Sequence, residues 1–409
     1  MERYDVVIAG AGPAGAQCAR DLAAREYNVL VLETEPESEF PGRSNKSTGG
    51  TFPSMMASFG IPDDVVMQFT DSVVLESPSD HVVQEQAGAV LEFGEFKQFL
   101  VDDGRERGAE YRFGSRVSKP ITEDGEVVGV RYDGDHEAYG DIIVDATGPS
   151  APLAKALDVV DLKRRNQAIG VEYEFENVDL DPEGYADLRD AMMLRLDHDV
   201  APGGYSWIFH TGGDTAKVGV CYIQNDIHTT RAKEGYTIED YLEHWLESDP
   251  RFADAEKIAG KQHRGSAHIQ PPGSLSTDRF MAIGDTVPTI DPLWGEGIHK
   301  GMKSARVAAI TADRCLTPDP PDTSAEAISV YDDLWHERVA PNARSRLLMT
   351  HLMYMADNAR YDRFMEDMRR LGKETLAKAN AGRKRAILKL LHPGDLPTLA
   401  KLARRGIGG

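Results

Sequence analysis

The stretch from Asp5 to Glu33 constrains the fold more than any other part of this chain. An apolar run, Val6-Val7-Ile8-Ala9, leads into Gly10-Ala11-Gly12-Pro13-Ala14-Gly15. A helix-like segment, Ala16 to Arg25, follows, and a second apolar run from Asn28 to Leu32 ends in Glu33. Strand, glycine turn, helix, strand and acid in that order describe a βαβ unit that receives a dinucleotide. Gly10 permits the tight turn, Gly12 lets the backbone approach a pyrophosphate, and Gly15 lets the helix settle close on the sheet. The helix N-terminus offers free N–H groups and positive potential to the phosphates. Glu33, about 20 residues beyond the turn, is placed to grip ribose hydroxyls. A bare glycine triplet would say little; the flanking strands and the acid make it specific.

Two later segments extend this site. Asp141-Ile142-Ile143-Val144-Asp145 is a strand running into Ala146-Thr147-Gly148, a turn of small residues such as a chain passing close to a dinucleotide needs. Further on, Ile283-Gly284-Asp285 is followed by Pro288, Pro292 and Gly295-Glu296-Gly297-Ile298, which opens a helix running to Cys315. Asp285 can accept hydrogen bonds from a ribityl hydroxyl. The second helix start, at Gly297 and Ile298, can face the electron-rich edge of a reduced flavin. A nicotinamide cofactor that dissociates has no use for this second grip. A resident FAD does.

Composition narrows the function classes. The chain has 409 residues, enough for two domains or one large one. Its 67 acids against 46 bases leave a net charge of −21, which excludes nucleic acid as a partner for the body of the protein. The same excess suits a high-salt cytoplasm, where screening suppresses carboxylate repulsion. No apolar run approaches the roughly 20 residues that cross a bilayer. Met1-Glu2-Arg3-Tyr4 enters the first strand directly, leaving no room for a signal peptide. Cys18, Cys221 and Cys315 are far apart and cannot supply four thiolates to an iron–sulfur cluster. A reducing cytoplasm is the expected compartment.

The expected architecture is α/β. A Rossmann-like FAD-binding domain over residues 1–166 and 271–320 is interrupted by an antiparallel β-sheet substrate domain over residues 167–270. The alternating runs Ala168 to Phe175, Ser206 to His210, Lys217 to Ile223 and Gly265 to Ile269 would form that sheet, with one helix at Thr237 to Leu246. A helical C-terminal region over 321–409 ends in a basic amphipathic tail from Arg383 onward.

The three glycine-rich segments, in this order, resemble the FAD pattern of the glutathione-reductase-type flavoproteins related to p-hydroxybenzoate hydroxylase. Within that group the chain resembles the geranylgeranyl reductases, including the archaeal-type digeranylgeranylglycerophospholipid reductases, which saturate prenyl chains. Two stretches carry the narrower resemblance. Lys46-Ser47-Thr48-Gly49-Gly50 stands where many members have a Lys-x-Cys-Gly-Gly loop beside the isoalloxazine. Pro202-Gly203-Gly204-Tyr205-Ser206-Trp207-Ile208-Phe209 matches most of a Pro-x-x-Tyr-x-Trp-x-Phe-Pro signature. The resemblance implies FAD contacts from Gly10, Gly12, Ala14, Gly15, Glu33, Thr48, Gly49, Val117, Gly148, Gly284, Asp285, Gly295, Gly297 and Ile298. Three positions depart from the pattern. Thr48 replaces the cysteine, His210 stands at the last proline, and Phe93 sits where relatives place a pyrophosphate-binding arginine, a duty left to Arg43 or Lys46.

A prenyl double bond is apolar, so its site must be a long greasy tunnel reaching the flavin. Tyr205, Trp207 and Phe209 alternate onto one sheet face and could line it. Catalytic candidates are Tyr205, Trp207 and Thr48, with His210 and Glu296 as further proton sources. Leu347, Leu348, Leu352, Met353 and Met355 share a helix face that could close the tunnel. The basic tail would contact anionic lipid headgroups, placing the protein at the inner face of the membrane. Electrons would come from transient NAD(P)H or from a ferredoxin-type carrier protein, since there is no second nucleotide turn. Two alternatives stay open: a monooxygenase or halogenase on the same scaffold, and an electron-transfer flavoprotein that reduces quinone.

Overall fold

A computed structural model describes residues 2–42 and 48–405. Among the described residues, two sheets of eight strands each organise the fold. In the first, Arg3–Ala9 lies between Val29–Leu32 and His136–Asp145, all parallel; Glu110–Arg112 and Phe280–Ala282 extend the two sides. Val6 to Ala9 and Val29 to Val31 are fully buried, as expected of parallel strands covered on both faces. The helix Pro13–Ala23 turns Ala16, Ala19, Leu22 and Ala23 inward and packs against the small residues of Ile298–Leu316. Short side chains on both helices let them approach closely over the strand ends. The last strand, Phe280–Ala282, therefore delivers the third glycine segment next to the first.

The second sheet is mostly antiparallel. Across it run Glu256–His268, Gln167–Glu176, Thr215–Ile223, Gly204–Gly212, Ala191–Arg195, Val66–Glu76, His81–Leu91 and Gly50–Thr51. The helix Ile238–Ser248, opened by a capping box between Thr237 and Asp240, covers its outer face. Tyr241, Leu242 and Trp245 pack there against Ile208, Val218 and Val220. Because side chains alternate along a strand, Tyr205, Trp207 and Phe209 are left facing the other way.

Membership of this sheet differs from the sequence expectation. The strands Gly50–Thr51, Val66–Glu76 and His81–Leu91, placed by contiguity in the FAD-binding part, pair with the substrate sheet, Val66–Glu76 lying parallel to Ala191–Arg195, while Met55, Met56 and Phe59 of the intervening helix pack in the first core. A buried ion cluster secures the transfer. Arg251 is fully buried and donates to Glu76 at 2.8 and 3.1 Å and to Asp249 at 2.6 and 2.9 Å. Arg195 pairs with the same Glu76 and with Asp197. Such a cluster adds little net stability, but removing one partner strands the others and costs about 3–5 kcal/mol. The helices Ala325–Ile328 and Val330–Arg338 pack on the first sheet's core, and the later ones reach the second sheet, Asn358–Arg370 lying against His81–Leu91. Among the described residues, no helix is long and apolar enough to cross a membrane.

Candidate active site

The three glycine segments converge on one place. Gly10 has φ +101°, and a Cβ there would sit 2.6 Å from the Ala146 carbonyl oxygen, so the first turn is wedged against the second. Gly284 approaches Ala14 so closely that a Cβ on it would lie 2.7 Å from the alanine methyl. Gly148 N–H donates to Thr286 Oγ1 at 3.1 Å, tying the second segment to the third. Neither Pro13–Ala23 nor Ile298–Leu316 has a side-chain cap, which leaves first-turn N–H groups pointing outward. Glu296 takes one of them, from His299, at 3.0 Å.

Both helix starts open into a cavity of about 1540 Å³. Gly12, Ala14, Thr48, Gly148, Gly284, Asp285, Gly295, Gly297 and Ile298 all line it. Space beyond Gly12 and Gly148 is open where a side chain would point. Asp285 makes no side-chain hydrogen bond among the described residues, and burial pushes its carboxyl up to about 6. An unpartnered carboxyl between two uncapped helix starts fits a ligand with phosphates and sugar-like hydroxyls, which is what FAD presents. Gly10, Gly15 and Gly49 stand behind this lining and shape the turns. Glu33 is also outside it; its carboxylate accepts from Ala11 N–H at 2.7 Å and Glu35 N–H at 2.9 Å, each oxygen keeping a second lone pair. Val117 begins a strand opposite Tyr132, is buried, and does not line the cavity. Arg43 and Lys46 lie outside the described residues.

The substrate sheet forms the cavity floor in transverse rows set by strand register. One row crosses His263, Glu172, Gly219, Trp207, Leu194 and Leu75. A neighbouring row carries Glu174, Lys217, Phe209 and Met192, and the one on the other side Gly170, Cys221 and Tyr205. Gly219 has no side chain to obstruct the Trp207 indole: a Cβ there would lie 2.1 Å from the ring. The indole Nε1–H donates to Glu172 Oε2 at 2.8 Å. Buried Lys217 donates to the carbonyls of Thr48 at 3.0 Å and Leu91 at 3.1 Å, fastening the Thr48 loop to the floor. Tyr205 O–H donates to the Trp294 carbonyl at 3.0 Å, beside Gly295, so this hydroxyl holds the cofactor loop. Burial, first of all, raises its pKa well above the ordinary tyrosine value.

The cavity continues under the C-terminal helices. Met349, Leu352, Met353 and Tyr354 of Ala343–Met355 roof it, whereas Leu347 packs in the core behind. At the junction, Arg346 and Lys300 both pair with Asp291. Burial works against that carboxylate, but Lys300 and Arg346 outweigh it and hold it down to about 2. His210 is removed as a proton source: it lies on the opposite face of its strand, with Nε2 against the Gly213 carbonyl at 3.1 Å. Sequence reasoning passed over Glu172, Lys217 and Cys221. Charged residues alternating with apolar ones on a strand ordinarily face water, yet this face is the cavity floor. Burial pushes the Cys221 thiol up to about 12, so it stays protonated.

Comparison with known proteins agrees with both halves of this site. Residues 5–136 match an FAD binding domain and residues 167–262 a geranylgeranyl reductase catalytic domain. The chain is 69% identical over 403 residues to the digeranylgeranylglycerophospholipid reductase of Haloferax volcanii, covering 98% of each. A geranylgeranyl bacteriochlorophyll reductase-like protein from Thermoplasma acidophilum superposes with a TM-score of 0.84 at 22% identity, over 98% of this chain and 100% of the other. A flavin-dependent brominase superposes at 0.74 with 18% identity, over 99% and 100%, a likeness of fold alone.

Proposed function

Because the chain belongs to the digeranylgeranylglycerophospholipid reductase family of FAD-dependent flavoproteins, we propose that it saturates carbon–carbon double bonds in the geranylgeranyl chains of membrane ether lipids. The observation that carries this reading is one continuous cavity. It joins the flavin-sized cradle between the two helix starts to an aromatic and aliphatic floor, then runs on beneath apolar helices. Gly12, Ala14, Gly148, Gly284, Asp285, Gly297 and Ile298 would hold FAD, which supplies the electron pair and one hydrogen when bound and reduced. Trp207, Phe209, Leu194 and Leu75 would align the prenyl chain along the floor, where apolar burial is worth about 25 cal/mol per Å². Tyr205 would keep the Gly295 loop against that chain through its bond to the Trp294 carbonyl. Thr48 lines the cavity and would offer a hydroxyl beside the flavin.

Several partners follow from the same reading. The substrate is a lipid, and Leu388 and Leu396 are well exposed on a C-terminal segment that also carries Lys384, Arg385 and Lys389. That combination suits the anionic inner face of a cell membrane, where each cation near the surface contributes about 1 kcal/mol. The C-terminal segment is built of short helical pieces broken at Pro393, and Ile387, Leu390 and Leu391 before the break line the cavity. Electrons arrive from a transient donor, NAD(P)H or a ferredoxin-type carrier. A net charge of −21 suits concentrated salt, where the screening length falls to roughly 3 Å at 1 M.

Dithionite-reduced protein incubated with digeranylgeranylglycerophospholipid tests the reading directly. Mass spectrometry is expected to show two added hydrogens per saturated bond. No gain on any prenyl lipid, together with peroxide release and halide or oxygen incorporation into an aromatic substrate, would transfer the chain to the halogenase-like reading.

A further inference from the structure

We propose that Glu172 is the proton source for the double bond, delivering its carboxyl proton from the cavity floor beside Trp207. This rests on the reductase reading above and adds the residue that completes its chemistry. Glu172 is almost fully buried, yet it belongs to the cavity lining. Trp207 Nε1–H occupies Oε2 at 2.8 Å, and Oε1 is buried with no hydrogen-bond partner. An unmet carboxyl oxygen is costly in such a place unless a ligand or a proton completes it. It is the one carboxyl of the row that also carries Trp207, Leu194 and Leu75, the row along which an apolar chain would lie.

The neighbours explain why this carboxyl keeps its proton. Glu174 stands two residues along the same strand, and Lys217 faces both acids from the adjoining strand. His263 and Lys261 face them from the edge strand, His263 directly across the ladder from Glu172. Burial works against ionising Glu174, but its bond to His263 and the charges of Lys217 and Lys261 outweigh it and lower its pKa. Burial dominates at Glu172 and raises its pKa despite Lys217, Trp207 and His263. Two carboxyls with environments pushed apart in this way divide the work: Glu174 balances the cations, and Glu172 stays a neutral acid. Lys217, whose charge acts on Glu172, also fastens the Thr48 loop, so the acid shares the floor to which the loop resembling the isoalloxazine-contacting segment is tied.

The step balances. Saturation forms two C–H bonds: the electron pair and one hydrogen come from the reduced flavin, and the second hydrogen is the Glu172 proton. The Glu172 O–H bond breaks as the second C–H bond forms, the flavin leaves oxidised, and Glu172 leaves as a carboxylate. A water-derived proton then restores it from the edge strand, past His263.

Glu172→Gln tests this, because the amide can still accept from the Trp207 indole but has no acidic proton. Flavin uptake and prenyl-lipid binding are expected to match wild type, while single-turnover saturation by dithionite-reduced enzyme falls about 100- to 10,000-fold. Wild-type single-turnover rates should fall as Glu172 ionises at rising pH, and the residual Glu172→Gln rate should not. Infrared difference spectra of the flavin-free proteins give a second readout: the protonated-carboxyl stretch of wild type at neutral pH is expected to vanish in the variant. Glu172→Asp, which keeps the acid at shorter reach, should retain the band and part of the rate, and serves if the glutamine variant does not fold. An unchanged rate in Glu172→Gln, or no such band, overturns the proposal while leaving the reductase reading intact. A wild-type protein that saturates no prenyl chain overturns both.

Discussion

The two sheets build their shares of one cavity by different means. On the cofactor side, the contacts come mainly from the backbone: helix starts without side-chain caps at their N-cap residues and turns of small residues, with the carboxyls of Asp285 and Glu296 among them. On the substrate side, side chains do the work, and they are brought together by register. Trp207, Gly219 and Glu172 sit on three strands and form one row only because those strands align. A backbone site tolerates little change in its glycines. A side-chain site depends on which neighbours a strand is given. The cofactor side is therefore expected to fail through its backbone, and the substrate side through single side chains.

Gly10→Ala should break the backbone half most severely. The new methyl would meet the Ala146 carbonyl at 2.6 Å in a backbone conformation of φ +101° that side chains avoid. Strain of this kind costs of order 3 kcal/mol, about a 100-fold loss of flavin affinity if it falls on the bound state. The protein is expected to purify colourless, with the substrate sheet still folded by circular dichroism. Normal flavin content would show that the first turn is not the grip described here.

This contrast also decides what could be read from the amino-acid sequence. Gly10, Gly12, Gly148, Gly284 and Gly297 were legible because each strand–turn–helix passage is local, and local chemistry needs glycine at fixed offsets. The face of Tyr205, Trp207 and Phe209 was legible from alternation alone. Glu172 and Lys217 were not: a strand alternating charged and apolar residues ordinarily turns its charges to water, and only the opposing helices make that face an interior. The sheet membership of Val66–Glu76 and His81–Leu91 was not legible for a related reason. Their partners, Ala191–Arg195 and the Arg251 cluster, are more than a hundred residues away. His210 was kept as a candidate by its proximity in sequence to Phe209, although adjacent residues on a strand face opposite sides.

Asp285 is a cofactor-side group whose charge can be tuned, and its effects on stability and binding should have opposite signs. Burial raises its folded pKa from 3.8 to about 6. A raised carboxyl contributes stability that is fully present below pH 3.8 and is lost as pH rises through about 6. Up to about 3 kcal/mol is lost from the flavin-free protein in this way. Asp285→Asn cannot ionise, so flavin-free variant should be the more stable protein at about pH 8 and gain almost nothing at about pH 4. The same variant should bind FAD about 10-fold more weakly, having lost a charged hydrogen-bond acceptor. Denaturant titrations at the two pH values check the first effect, and flavin fluorescence titration the second. An equal stability difference at both pH values would remove ionisation from the explanation.

The smallest effect is expected where the two halves touch. Gly295 has φ +67°, and a Cβ on it would lie 2.1 Å from the Tyr205 hydroxyl oxygen, which itself holds the Trp294 carbonyl at 3.0 Å. Gly295→Ala should therefore push the tyrosine off the loop and lower turnover about 10-fold, the equivalent of 1.4 kcal/mol. Tyr205→Phe alone loses the hydroxyl bond but keeps the ring on the cavity floor, and should cost less. Combined, the two changes should be milder than their sum, because the phenylalanine vacates the space the methyl needs. Only the backbone strain at position 295, about 1 kcal/mol, would remain. A double-mutant cycle on single-turnover rates reads this coupling directly. Strict additivity would mean that the aromatic floor and the cofactor loop act independently, and that the junction between the sheets is mere contact.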